Sequence, residues 1–430
     1  MSALRAFAAA APVAVFAAIG ENASDRVDDL CLRSEINRVD SPRHASVLLV
    51  AGALRDADRE ALRRVHDQLP HPRATLCWAG DAPIDGVARP TVRMDDDPAE
   101  SLQELQRQLM TGERHSEADL LPNEPPAPWR GVGEFGQGGK GMMGGTPYGR
   151  PMPMTADDVR DGLALDAYTM RIGPFMPMLP AGLVMSLTLQ GDVIQHARME
   201  SPPLWPVSDR SLDPRYGVPG TIAQSERLLA ARHLRCVARL LVVLQLMPQA
   251  ERCRRMACAV EHGEAVSLAD LRKALLRSGA FAAIPAGLGR LDTGLAQALG
   301  GSALRAAGGA IDARQHHPAY QALDFHPVAQ LTGDVRARFC QWLDEADQSL
   351  ALAARAGSAS VKGTLQVDRD SANDMAPADR NGIFKGLLAG LEWNEAMLVV
   401  NSFDVATLRR LLPPAPPPAD SSGDQNERMG

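Results

Sequence analysis

Cysteine is the residue type in this 430-residue sequence whose spacing most directly tests for metal or disulfide chemistry. The six cysteines are Cys31, Cys77, Cys236, Cys253, Cys258 and Cys340. They share no short regular spacing and the chain is long, so a disulfide framework is not expected. Free thiols in a chain of this size fit a reducing compartment.

Other groups that could do chemistry form weak patterns. His316-His317-Pro318 could bind a metal with His326 as a third ligand, but neighbouring side chains on extended chain point apart. Gly138-Gly-Lys-Gly141 departs from the P-loop because Gly follows the Lys where Ser or Thr is needed. No Gly-x-Ser-x-Gly elbow is present. The sequence therefore identifies no catalytic residues and no metal site, and we expect no cofactor of its own.

Composition restricts the class of protein. Hydrophobic residues make up 45%, charged residues 23%, and the net charge is −7, as in ordinary soluble domains. No basic cluster with interleaved aromatics exists, which argues against nucleic acid as a partner. No run of 18 apolar residues exists, so no transmembrane segment is predicted. The apolar stretch Ala6–Gly20 could be a secretory segment, but a buried strand over Val13–Ile19 is the preferred interpretation.

The first 112 residues alternate between strand and helix patterns. Ser46–Gly52 and Ala74–Gly80 are short apolar runs ending in Gly, typical of strands buried on both faces of a parallel sheet. Asp56–Leu69 has one apolar helical face. Asp97 and the following Pro98 start another helix, with Asp97 as its N-cap. Residues 1–112 are predicted to form a small doubly wound α/β domain.

Residues 166–412 predict a second, mostly helical α+β domain with an N-terminal β-hairpin. The hairpin runs from Leu183 through a turn at Gly191 to Ile194. Helices are expected over Thr221–Met247, Asp334–Ala354 and Ile383–Leu391, followed by a last strand at Leu398–Val400. Residues 113–165 are a Pro-, Gly- and Met-rich linker, and residues 413–430 are expected to be a disordered tail.

The first domain resembles the small, cluster-carrying subunit of complex I and of energy-converting hydrogenases (the 20 kDa type). The resemblance lies in Asp40–Gly52, Leu62–Pro72 and Arg73–Gly80, which keep the family's order and spacing. That family holds an iron–sulfur cluster through four Cys thiolates. Here only Cys31 and Cys77 are available, so the resemblance implies a degenerate cluster site with two free thiols that act as small hydrophobes.

The second domain resembles the large quinone-site subunit of complex I (the 49 kDa type), itself related to the nickel–iron hydrogenase large subunit. Gly173-Pro174, Pro177 and the hairpin match its N-terminal loop, Gly333–Phe339 resembles an internal helix, and Leu391–Asp404 resembles its C-terminal strand. The family's loop offers His to a quinone, and Met at that position cannot donate a hydrogen bond. The resemblance therefore implies a degenerate quinone loop made of Phe175, Met176, Pro177 and Pro180.

A nickel–iron site requires two Cys-x-x-Cys pairs at opposite ends of this domain. Cys253 and Cys258 lie in its middle and Cys340 is alone, so no nickel site is expected. Asp334, Arg336 and Arg338 are expected to form ion pairs at the domain interface instead of a catalytic set.

A partner interface is predicted from two groups of residues. Adaptable Met side chains in the linker could cover a flat partner surface, although Met-rich runs also fill cores. Glu392 and Glu395 beside Trp393 could relay protons toward a membrane arm, or could be solvated carboxylates at a helix end. The candidate interface residues are Met142, Met143, Tyr148, Met152, Met154, Glu392, Trp393 and Glu395.

Two functional hypotheses follow from the resemblance. In the first, the chain is a peripheral hydrophilic subunit of a complex I-like or hydrogenase-related ion-translocating complex, acting in assembly or coupling without a redox centre. Its partners would be membrane ion-translocating subunits and other hydrophilic subunits, at the cytoplasmic face of the membrane. In the second, it is an oxidoreductase subunit that shapes a quinone or small-molecule site while partners supply the clusters. An unrelated soluble enzyme is a third possibility.

Overall fold

The computed structural model describes residues 8–79, 91–93, 95–122, 154–155, 166–206, 221–357 and 377–411. A parallel sheet forms the N-terminal part, and an antiparallel sheet with a helical bundle follows it. Within the described ranges, no helix is both long and apolar enough to cross a bilayer.

The first unit is a five-stranded parallel sheet in the order β2-β1-β3-β4-β5. Its strands are β1 (Val13–Ile19), β2 (Ile36–Arg38), β3 (Val47–Ala51), β4 (Ala74–Trp78) and β5 (Thr91–Val92). Its helices are α1 (Ser24–Leu30), α2 (Arg59–Gln68) and α3 (Ala99–Thr111). Helices α1 and α3 cover one face of the sheet and α2 covers the other. The predicted doubly wound arrangement and the strand over Val13–Ile19 are confirmed.

Helix α3 begins one residue later than predicted. Pro98 occupies the N-cap position, while the Asp97 carboxylate accepts a hydrogen bond from the Ala99 amide at 3.0 Å. The helix ends at Gly112, which has a left-handed backbone with φ +81°. Beyond it, Glu117 is buried and accepts a 2.8 Å hydrogen bond from the Thr75 amide in β4. The described chain after α3 therefore stays packed on the first unit.

The second unit opens with a four-stranded antiparallel sheet, ordered β6-β7-β8-β9. Its strands are β6 (Met154–Thr155), β7 (Asp166–Ile172), β8 (Val184–Gln190) and β9 (Val193–Ser201). The predicted hairpin is confirmed as β8–β9, and its turn contains Gly191 at φ +63°. The sheet is larger than a hairpin because β7 pairs with β8 along its length.

Ten helices are described after this sheet. They are α4 (Ile222–Val243), α5 (Met247–Glu261), α6 (Ala269–Arg277), α7 (Thr293–Leu299), α8 (Gly301–Ala306), α9 (Pro318–Gln321), α10 (Val335–Ala356), α11 (Pro377–Leu388), α12 (Trp393–Asn401) and α13 (Val405–Arg410). The long helices α4 and α10 pack against each other, and α5 packs on α4. Their apolar faces and the inner face of the antiparallel sheet form one continuous core.

The predicted last strand at Leu398–Val400 is wrong, because these residues lie in helix α12. A reciprocal capping box between Glu392 and Glu395 starts the helix. Its centre is buried on all sides, so the apolar run shows no helical period that the sequence could reveal.

Candidate functional site

The loop between β7 and β8 lies where the two units meet. Gly173 has φ +91°, and a Cβ atom there would stand 1.9 Å from the Leu183 carbonyl oxygen, so the turn requires glycine. Backbone hydrogen bonds close the loop, from the Gly182 amide to Pro174 O (3.1 Å) and from the Leu179 amide to Met176 O (3.0 Å). The loop is therefore compact and internally braced.

The side chains of this loop contact three separate cores. Phe175 packs against the α2 face of the parallel sheet, and Ala181 packs against its opposite face. Met176 packs against the core of the second unit. The Arg55 guanidinium, which follows β3, donates to Gly182 O at 2.5 Å and to Pro202 O at 2.9 Å. The second unit thus packs over the carboxyl ends of β1 and β3, where open α/β sheets place their ligand sites.

A cavity of about 120 Å³ lies beneath the loop, between α1, α4 and the end of β1. Among its lining residues are all four residues of the predicted degenerate quinone loop: Phe175, Met176, Pro177 and Pro180. An adjoining cleft of about 430 Å³ shares Asp28, Arg38, Pro177 and Arg254 with it. Together they are large enough for a small ligand, whereas the inner cavity alone is smaller than typical ligand pockets.

The cavity is strongly charged on one side. Asp28 accepts a 2.8 Å hydrogen bond from Arg38 and lies 3.6 Å from Arg254. Arg235, from α4, binds Glu261 at 2.5 Å and Asp29 at 3.2 Å, and so ties α1 to α5. Burial raises the pKa of Asp29 to about 6, although Arg235 opposes the rise.

The iron–sulfur cluster implied by the first resemblance does not fit the thiols. Cys31 packs on the α1 and α3 face of the parallel sheet, whereas Cys77 is fully buried on the α2 face. Ligands on opposite faces of one sheet cannot bind the same cluster. Burial also raises the pKa of the Cys31 thiol to about 11, which disfavours the thiolate that a metal requires.

The thiols of the second unit are also poorly suited to bind a metal, because burial raises their pKa values. Cys253 is buried within α5, and burial raises its pKa to about 12. Cys258 is half-buried, with its pKa raised to about 11, again mainly by burial. Within the described ranges, no group of three or more His, Cys, Asp or Glu side chains is arranged to hold a metal ion. His317 instead accepts a hydrogen bond from the Ala319 amide at the start of α9, and His326 lies 3.1 Å from Asp324.

The predicted interface residues are only partly described. Met142, Met143, Tyr148 and Met152 lie outside the described residues, and Met154 is placed by its backbone in β6. Glu392 and Glu395 form the capping box of α12, and Trp393 packs against the core of the second unit. These carboxylates therefore have a helix-capping role.

The expected ion pairs of Asp334, Arg336 and Arg338 at the domain interface are wrong. Asp334 caps α10, accepting from the Ala337 amide at 2.8 Å. Arg336 donates to Ile284 O at 2.5 Å, and the buried Arg338 donates to backbone carbonyls and stacks 4.4 Å from the ring centroid of Phe403. Burial lowers the pKa of Arg338 to about 9. These three side chains therefore stabilise a helix start and nearby loops within the second unit.

A buried network of charged side chains was missed by sequence reasoning. It runs through Tyr320, Glu226, Arg314, Asp312, Arg305, Glu345 and His233. Burial, opposed by Glu345, lowers the pKa of His233 to about 3, so this imidazole is neutral. The sequence carried a signal: Glu226 and His233 are seven residues apart, on the same face of helix α4, where most buried positions are apolar.

Comparison with known proteins gives one family match. Residues 254–390, from within α5 to just beyond α11, match the family model described as respiratory-chain NADH dehydrogenase, 49 Kd subunit. No curated protein matches the chain. A chain from the membrane-bound sulfane sulfur reductase, an archaeal respiratory membrane complex, aligns with a TM-score of 0.40 and 15% identity. That alignment covers 56% of this chain and 98% of the other, and similarity this low carries no functional argument. Residues 254–390 are thus similar to the 49 kDa subunit family, over about a third of the chain.

Proposed function

We propose that the chain is a peripheral hydrophilic subunit of a complex I-like or hydrogenase-related membrane complex, positioned at the cytoplasmic face. The observation that carries this proposal is the match of residues 254–390 to the 49 kDa subunit family. The two-unit organisation, with a doubly wound α/β unit packed on the loop before β8, supports a fusion of two such hydrophilic subunits.

The proposed role is assembly or coupling without a redox centre of its own. Cys31 and Cys77 lie on opposite faces of the parallel sheet. By the resemblance, Met176 stands where the family's loop offers a hydrogen-bond donor to a quinone. By the resemblance, the retained features are fold segments, and the altered ones are the groups that would bind a cluster or a quinone.

Affinity purification from gently solubilised native membranes, followed by mass spectrometry, tests this proposal. We expect ion-translocating membrane subunits to co-purify with the tagged chain. Recovery of soluble proteins alone would refute it. A variant carrying Met142→Glu with Met143→Glu charges the predicted interface and should lose those subunits. The control Arg64→Met changes an exposed residue of α2 and should retain them. If both variants retain them, the interface assignment is wrong and the subunit proposal stands.

A second function is favoured by the cavity beside Met176. The chain would then shape a quinone or small-molecule site in an oxidoreductase whose partners supply the clusters. Charged groups from α1, α4 and β2 converge on this cavity, and a filled core there would have removed the hypothesis. Reconstituted complex should then lose quinone-linked turnover when Met176→Trp fills the cavity, with its subunit composition unchanged. Unaltered turnover would exclude this function.

A further inference from the structure

The lining of the cavity under the loop combines arginines with apolar side chains. It includes five arginines and two aspartates. These residues are Arg38, Arg232, Arg235, Arg239, Arg254, Asp25 and Asp28. The lining also includes the apolar side chains of Phe175, Met176 and Leu179. Such a lining is suited to a ligand that combines a charged group with an apolar body.

Carboxylates of the protein satisfy some of these arginines. Asp28 pairs with Arg38 and lies near Arg254. Arg235 is held by Glu261 and Asp29, neither of which is among the lining residues, and lies 3.7 Å from Asp25. These pairs balance the charge at the α1 side of the cavity.

Arg239 is different. Its Nη2 donates to the carbonyl oxygens of Phe403 (2.6 Å) and Asn401 (3.4 Å), which carry no net charge. No carboxylate of the described residues lies within ion-pair distance of it. Among the described residues, the buried Nε of Arg239 has no hydrogen-bond acceptor. The Nε atoms of Arg235 and Arg254 lie 3.7 Å from Asp25 and 3.6 Å from Asp28, which is ion-pair distance but beyond a hydrogen bond. Buried donors are normally hydrogen-bonded, so the unused Nε–H of Arg239 needs an acceptor.

We propose that this cavity binds a small organic anion with an apolar body, whose carboxylate contacts Arg239 and Arg254. The inner cavity of about 120 Å³ holds a head group of a few heavy atoms. The apolar body lies against Met176 and Leu179, which line the same cavity. The inference names a ligand class for the site discussed above and rests on that site being functional.

Calorimetric titration of the purified full chain tests the inference with three matched probes. Hexanoate carries both the carboxylate and the apolar body, hexanol lacks the charge, and sulfate lacks the body. We expect hexanoate to bind at least about tenfold more tightly than either comparator, because a charge-assisted hydrogen bond contributes about that much. Equal binding of hexanol, equal binding of sulfate, or no binding of hexanoate would overturn the inference.

Two variants locate the site. Arg239→Met should weaken hexanoate binding by about tenfold to a hundredfold, while Arg64→Met on the exposed surface of α2 should leave it unchanged. Met176→Glu supplies a carboxylate from the loop itself and should abolish hexanoate binding even if Arg239→Met does not fold. Wild-type affinity in Met176→Glu would overturn the inference. Because the assay uses the purified chain, its result is independent of co-purification from membranes.

Discussion

Removal of Arg305 from the buried charged network should destabilise the second unit strongly. The Arg305 Nε donates to Glu345, and its Nη1 lies 3.2 Å from Asp312. The Glu345 side chain is 1% exposed and that of Arg305 is 9% exposed, so water cannot replace the lost partner. Burial alone would raise the pKa of Glu345, and Arg305 is the main group that keeps it below its ordinary value.

Arg305→Met leaves the Gln341 amide, at 2.8 Å, as the hydrogen-bond donor to Glu345. The neutral His233 lies 3.0 Å away but makes no hydrogen bond to it. Breaking a buried ion pair by removing one partner costs about 3–5 kcal/mol. The pKa of Glu345 should then rise above its unfolded value. The variant therefore gains stability as pH falls through that raised pKa and loses it as pH rises, so its deficit should be largest at neutral pH and above.

Urea unfolding followed by circular dichroism measures this deficit, with Arg255→Met as the matched control. Arg255 pairs with Glu251 on the surface, where the two side chains are 61% and 49% exposed, and its loss should cost at most about 1 kcal/mol. The double variant Arg305→Met, Glu345→Gln should recover about 1–3 kcal/mol, because the amide needs no counter-ion. The reasoning is refuted if Arg305→Met costs no more than Arg255→Met, or if the double variant recovers nothing.

Three further predictions concern pH, metal content and thiol chemistry. Burial raises the pKa of Asp404, but Arg232 and the cap hydrogen bonds lower it more, to about 2 against an ordinary 3.8. The ionised carboxylate should therefore add about 2 kcal/mol to the free energy of unfolding above pH 3.8, and this contribution should disappear as the pH falls to 2. Between these pH values, the free energy of unfolding of Asp404→Asn should fall by about 2 kcal/mol less than that of the wild type. Elemental analysis of the purified chain should find no stoichiometric iron or nickel, and about four irons per chain would contradict the assignment of its thiols. Because burial raises the pKa values of Cys31, Cys258 and Cys340, an aromatic disulfide reagent at pH 8 should label them at least about tenfold faster in urea than in the native state.

Local patterns predicted most of the first unit and the hairpin. Val13–Ile19 was placed residue for residue, because a short apolar run that ends in Gly reports burial on both faces of a parallel sheet. Leu398–Val400 was misassigned because a helix buried all round has no apolar period, and a run of Leu and Val then suggests a strand.

The pairs of the buried charged network could not be predicted from local sequence patterns, because their members are far apart in the sequence. Glu226 and Arg314 bond across 88 positions, and Arg305 and Glu345 across 40. No local rule pairs such residues, although polar residues inside an apolar helical face indicate that partners exist. For the cavity, the loop residues were named from the family resemblance. Its arginines come from β2, α4 and α5, and they come together only when the two units are assembled.

The loop between β7 and β8 also bears on how strongly the two units must bind each other. An interface between two separate proteins must be strong enough for them to associate at cellular concentrations, which favours an apolar contact without trapped water. Here both units belong to one chain, so they occur in equal number and at an effective local concentration on the order of millimolar. Because the polypeptide links the two units covalently, their interface can retain a charged cavity beside Met176 and Arg239. Cutting the chain between the units should therefore weaken their association even though every contact of the loop is retained.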